Sequence, residues 1–88
     1  MILYRSNMPE IDLHGEDRIG AMIKIKEFLN DNYKLGNREV AIVHGLGKGI
    51  LKKQVFDILK NDNRVEKFNL DMFNEGCTLV RLRKNVDI

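Results

Sequence analysis

Val43-His44-Gly45-Leu46-Gly47-Lys48-Gly49-Ile50 is the stretch that decides how this chain folds. An apolar run ends at Val43, glycine recurs at every second position, and a helix-forming sequence follows. Glycines at 45, 47 and 49 leave backbone N–H groups uncovered and free to take φ > 0. The turn can therefore wrap an anion while the positive end of the following helix faces it. His44 at the lip and Lys48 inside add an ionisable group and a fixed cation. The same glycines also suit a plainer role, a tight strand-to-helix turn with close packing, and both readings stand at this level.

Before the turn, Val40-Ala41-Ile42-Val43 is uniformly apolar, as expected of a strand covered on both faces in a parallel arrangement. Further back, Pro9 opens Glu10-Ile11-Asp12-Leu13-His14, whose strict alternation is the period of a strand. Asp12 and His14 then share one face, and Ile11 and Leu13 the other. Gly15 ends that strand, and Asp17 is placed to cap a helix whose stripe runs through Ala21, Met22, Ile25, Phe28, Leu29 and Asn32. Gly36 closes it.

After the turn, a second helix carries Leu51, Val55, Ile58 and Leu59 on one side, with Lys52, Lys53 and Lys60 elsewhere on a solvated face. Asn61-Asp62-Asn63 breaks it. Residues 65–70 and 77–82 are β-prone runs joined by Asp71-Met72-Phe73-Asn74-Glu75-Gly76, which predicts an antiparallel hairpin with a loose loop. The order β-α-β-α-β-β makes this an α/β protein with one domain over residues 10–83. Residues 1–9 form an N-terminal arm or edge strand, and 84–88 a polar tail. A right-handed crossover makes the first two strands parallel, so their carboxyl ends, and with them Asp12, His14, His44 and the glycine turn, open on one edge of the sheet.

Composition narrows the class. At 88 residues the chain supports one modest core, and 43% hydrophobic with 32% charged residues excludes a disordered chain. The net charge of +2 is uneven. Residues 1–44 hold six Lys or Arg against seven Asp or Glu, whereas residues 45–88 hold nine against six, which suits a polyanionic partner of the second half. One cysteine permits no internal disulfide, and no apolar run suits a signal peptide or a membrane span, so the cytoplasm is the expected compartment. No oligomeric state is legible.

An amide-lined seat with Lys48 could hold a phosphodiester and stabilise the charge that builds on it. Lys52 and Lys53 are further candidates for phosphate contact. Two histidines could divide proton removal and donation, and Asp12 could fix the tautomer of His14 or hold a divalent metal. No cofactor is demanded. Asp12, His14, His44 and Cys77 lack the tight ligand pair of a zinc site. Acyl transfer is disfavoured because nothing local activates Cys77. A dinucleotide fold is disfavoured by Ile50 where the fingerprint needs its last glycine, and the turn is no Walker A loop either.

Ile11-Asp12-Leu13-His14-Gly15 resembles the Leu-Asp-x-His-Gly motif of the small MutS-related (Smr) domain family, with Ile11 in place of the usual Leu. His44-Gly45-Leu46-Gly47-Lys48-Gly49 is similar to that family's His-Gly-x-Gly motif, and residues 76–82 resemble its last strand after a shorter loop. The resemblance covers residues 10–82. It implies a two-layer α/β sandwich like the C-terminal domain of bacterial translation initiation factor 3. It also implies nucleic-acid binding with endonuclease activity, either nicking DNA or cutting messenger RNA on ribosomes. By position, Asp12 and His14 match the first motif, and His44, Gly45 and Gly47 the second, with Gly49 beside them. A module of the same fold that grips nucleic acid or ribosome without cutting is the alternative.

Overall fold

Strand β1, Glu10–Asp12, ends sooner than the alternation predicts. The Asp12 carboxylate turns back to accept the His14 backbone N–H at 2.8 Å, a local bond that competes with the strand ladder. Leu13 N–H still donates to the Val43 carbonyl at 2.9 Å, so His14 sits one residue beyond the paired end. The computed structural model describes residues 7–86, and the expectations for residues 1–6 of the arm and 87–88 of the tail lie outside them.

Helix α1, Arg18–Leu35, starts where expected, with the Asp17 side chain accepting the Gly20 N–H at 2.7 Å, and closes on Gly36. Ala21, Ile25, Leu29 and Asn32 are buried, but Met22 is 43% exposed, so the buried stripe is narrower than the sequence pattern. Buried Asn32 is satisfied by donating to the Phe28 carbonyl and accepting from Asn37, both at 2.8 Å. Strand β2 is Glu39–Val43, helix α2 Ile50–Lys60, strand β3 Val65–Asp71 and strand β4 Asn74–Leu82.

The sheet runs β1-β2-β4-β3, with β1 parallel to β2 and β4 antiparallel to both its neighbours. Both helices cover one face, giving the expected two-layer α/β sandwich. Between the layers lie Leu13, Ile25, Leu29, Val40, Ile42, Val55, Leu59, Val80 and Leu82, with Phe28, Phe56 and Phe68 packed at the margin. The apolar run of β2 is therefore not explained by helices on both sides of a parallel sheet. Ala41 instead joins Cys77 and Leu79 in a small cluster on the helix-free face, against which Met8 and Val43 pack. An ion pair between directly opposed Glu39 and Arg81, at 2.6 Å, supports the β2–β4 register.

The hairpin also departs from expectation. Strand β4 begins at Asn74, leaving Met72 and Phe73 as a tight tip in place of a loose loop over residues 71–76. The Asp71 carboxylate accepts the Phe73 N–H at 2.9 Å and stabilises that turn. Among the described residues no helix is long and apolar enough to cross a membrane.

Candidate functional site

The end of β2 is held by a single carbonyl. His44 N–H and Gly45 N–H both donate to Gly76 O of β4, at 2.8 and 2.9 Å. Gly45, at φ 84°, then swings the chain away from the sheet, and Gly49, at φ 81°, sets it into α2. Gly47 does not adopt positive φ, so two of the three glycines are required by backbone conformation and the third is not. No side chain caps α2, which leaves its first-turn N–H groups without a capping acceptor at the helix's positive end.

His44, Gly45, Gly47, Lys48, Gly49, Ile50, Leu51 and Lys52 line a cavity of about 250 Å³ at this turn. That volume falls just under the roughly 300 Å³ at which drug-sized sites begin, and it suits a phosphodiester with part of its flanking sugars better than a dinucleotide. Lys48 is exposed and Lys52 half-buried, and both bring positive charge to it. Lys53 does not: it faces a separate groove with Arg18, Gln54 and Asp57, reached across the exposed Ile50. Arg18, which sequence reasoning missed, is brought there by the Gln54 side chain, which donates to its carbonyl at 2.6 Å.

His44 corrects the sequence expectation. It is buried at the floor of the turn, 6% exposed, not poised at the lip. Its Nε2 lies 2.8 Å from Thr78 Oγ1 and its Nδ1 3.2 Å from Gly45 O. A carbonyl can only accept, so Nδ1 carries the proton, Nε2 presents its lone pair, and the Thr78 hydroxyl donates to it. Both ring nitrogens are thereby engaged. Burial pushes the His44 pKa below 6.5, the Gly45 carbonyl opposes that in part, and Lys52 adds to the lowering, so the ring is neutral at pH 7.

Asp12 and His14 lie on the same sheet edge, since Asp12 pairs with Val43 and Leu13 bonds to it. Leu13 is wholly buried and both its neighbours are exposed, as the alternation predicts. Asp12 holds the backbone of His14, however, and not its ring. Neither residue lines the cavity. Cys77 lies in the helix-free-face cluster, and among the described residues no three His, Cys, Asp or Glu side chains are gathered as a metal site. Thr78 and Gly76 are the further site residues that sequence reasoning passed over. A strand threonine is unremarkable until the pairing of Thr78 with Ile42 puts it beside His44.

A mixed four-stranded sheet backed by two helices, with an amide-rich, lysine-flanked turn at the carboxyl end of its parallel pair, defines a small two-layer α/β domain. Residues 11–83 match the model of the Smr domain, and the chain belongs to that family. It is 39% identical over 69 residues, 78% of its length, to endonuclease MutS2 of Clostridium tetani, and 38% identical over 82 residues, 90% of its length, to endonuclease MutS2 of Acetivibrio thermocellus. The chain spans about a tenth of the length of these relatives, 9% and 10%. Its fold matches the crystal structure of the Smr domain of Thermus thermophilus MutS2 with a TM-score of 0.83 and 30% identity, covering 86% of this chain and 99% of that one. It also matches YdaL, a stand-alone small MutS-related protein from Escherichia coli, with a TM-score of 0.84, over 89% and 66% of the two chains; at 21% identity that likeness concerns the fold alone.

Proposed function

We propose that this chain is a nucleic-acid-binding Smr endonuclease domain that cleaves phosphodiester bonds. One observation carries the reading: the bond from Leu13 N–H to Val43 O sets the exposed Asp12–His14 turn beside the strand that delivers the glycine turn. Relatives named as endonucleases, at 38–39% identity, support it. In this reading the phosphate rests on the amides of the turn with Lys48 and Lys52 beside it. His14, the imidazole whose ring nitrogens are uncommitted among the described residues, moves the proton. An oxygen nucleophile, water or a 2′-hydroxyl, bonds to phosphorus and gives up its proton as the bond to the leaving oxygen breaks and that oxygen takes one up. Asp12 holds His14 through its backbone, and His44 positions the seat instead of reacting, so the proton-moving role expected of it from the sequence passes to His14. DNA nicking and RNA cutting both fit this chemistry.

A second reading, a module that grips nucleic acid without cutting it, draws on the same asymmetry: with both nitrogens of His44 engaged, no two-imidazole acid–base pair is assembled. Incubation with supercoiled plasmid and with structured RNA, with Mg²⁺, Mn²⁺ or EDTA, decides between them. Cleavage by the wild type is expected. His14→Ala should abolish it while leaving affinity and melting temperature unchanged, since His14 is exposed. Salt-sensitive binding with no cut in any condition would favour the second reading, and loss of fold in His14→Ala would make the residue structural.

A further inference from the structure

Three of the four phenylalanines, Phe28, Phe56 and Phe68, pack against the core; Phe73 does not and is 84% exposed at the tip of the β3–β4 hairpin, beside Met72 at 59%. A single exposed apolar residue needs no explanation. The position of this one does. Because β4 runs antiparallel to β2, with Cys77 opposite Val43, the end of β4 that follows the tip lies on the edge from which the glycine turn emerges. Gly76 touches that turn directly through its carbonyl, and Phe73 precedes it by three residues, a reach of at most about 10 Å at 3.4 Å per extended residue and shorter where the register shift beside Asp71 bends β4. One strand of nucleic acid covers about 10 Å in three nucleotides at the duplex spacing of about 3.4 Å, and in fewer when extended. The turn itself carries two more exposed apolar side chains, Leu46 at 73% and Ile50 at 75%.

We infer that Phe73 is a stacking platform for an unpaired base of a nucleic acid whose phosphate occupies the glycine turn, so that the domain selects single-stranded segments over uninterrupted duplex. The inference rests on the nucleic-acid reading above. Its physical basis is that a flat ring stacks with any base whose face is free, which a duplex interior does not offer. Charge fits the same division. The cations Lys48 and Lys52 stand at the turn, where phosphates would lie, whereas the exposed charge beside the hairpin tip is Glu75, a poor neighbour for phosphate and no obstacle to a base, with the Asp71 carboxylate buried behind the Phe73 N–H.

The chain contains no tryptophan, so Phe73→Trp makes the tip the sole indole in the protein. Titration with a single-stranded oligonucleotide should quench its emission, and a fully paired duplex of equal length should leave it unchanged. Phe73→Ala and Phe73→Leu should each bind the single strand about tenfold or more weakly, with duplex affinity within twofold of wild type and Phe73→Tyr restoring the loss. Equal single-strand affinity of wild type and Phe73→Ala would overturn the stacking role while leaving nucleic-acid binding intact. Retention of affinity by Phe73→Leu would also overturn it, as would a change of oligomeric state in Phe73→Ala with binding unaltered. Absence of binding by the wild type to either probe would overturn this inference together with the reading beneath it.

Discussion

Gly76→Ala is the substitution that most directly asks whether the glycine turn is held in place by β4. An added Cβ would lie 3.2 Å from both Cα and the carbonyl carbon of Gly45, and 3.2 Å from Asn74 Oδ1. Carbon atoms favour separations of about 3.5–4.0 Å, so the two strand ends must part by a few tenths of an ångström or more. The Asn74 side chain can rotate away only by giving up the Gly76 N–H that its Oδ1 accepts at 2.9 Å, and the Gly45 backbone is held because its N–H and that of His44 are bonded to the carbonyl of residue 76 itself. Relief of the clash stretches those bonds from 2.8 and 2.9 Å toward the limit of useful geometry.

Overpacking of this kind costs about 1–3 kcal/mol, and weakening two backbone bonds overlaps with that cost instead of adding in full. Taking about 2 kcal/mol, at roughly 4–8 °C per kcal/mol for a domain of this size, the melting temperature should fall by ~8–16 °C. Calorimetry measures the shift, and NMR hydrogen exchange shows whether it is local: the His44 and Gly45 amides should lose protection before those of α1 do. Gly47→Ala supplies the contrast, since nothing lies within 4 Å of the added methyl and the backbone there is not in the left-handed region, so its melting point should hold or rise slightly, not fall. A Gly76→Ala protein that melts within about 2 °C of wild type, with both amides as protected as before, would refute the account of how the turn is fixed.

Lys48→Ala should weaken binding to every nucleic-acid sequence alike and flatten the salt dependence by about one phosphate's contribution, a slope change of ~0.9 on duplex; an unchanged slope removes Lys48 from the contacts. Thr78→Val keeps shape but leaves His44 Nε2 buried without its donor, which should cost about 1–3 kcal/mol in urea unfolding; a neutral result would show that the hydroxyl is not engaged as drawn. The pH dependence follows from the same ring: because the folded pKa lies below 6.5, the unfolded chain protonates first as pH falls. His44's contribution is therefore complete above about pH 6.5, declines below it, and levels off under the folded value. Urea midpoints from pH 8 to 5 for wild type and His44→Gln should diverge in the neutral range and converge toward acid, and parallel curves would contradict the lowering.

The elements that were legible in the sequence are those whose signals are local. Asp17 and Gly36 bracket α1, and the Ile11/Leu13 alternation places Asp12 and His14 outward. What was not legible depends on pairing between distant segments. His44 is one parity step beyond Val40 and Ile42, both in the core, so its burial was implicit. The run 40–43 is apolar throughout, however, and gave no sign of which parity faced the helices. The hairpin tip was obscured for the opposite reason. Asp71, Asn74 and Gly76 are all turn formers, and nothing in Met72-Phe73 marks two apolar residues as the tip; the Asp71 carboxylate bonded to Phe73 N–H chooses the site. Arg18 and Thr78 became visible only through Gln54 and the β2–β4 register.

Of the groups proposed to meet substrate, His14 and Lys48 are exposed, yet each hangs from something that cannot move freely. His14 follows the fully buried Leu13 and is tied by its own N–H to Asp12; Lys48 sits between Gly45, fixed by Gly76, and Gly49, whose carbonyl accepts the Lys53 N–H of α2 at 3.0 Å. Donors aimed in advance at developing charge are effective only if they need no reorganisation when the charge appears. In this fold that rigidity comes from the β2–β4 seam: the shared Gly76 carbonyl, the Thr78–His44 bond and the opposed Glu39–Arg81 pair. Stability and site geometry are therefore coupled along that seam and uncoupled on the outer faces of the helices. A substitution there that lowers the melting point should lower affinity for phosphate as well, whereas an equally destabilising change near the far end of α1 should leave the folded fraction fully competent.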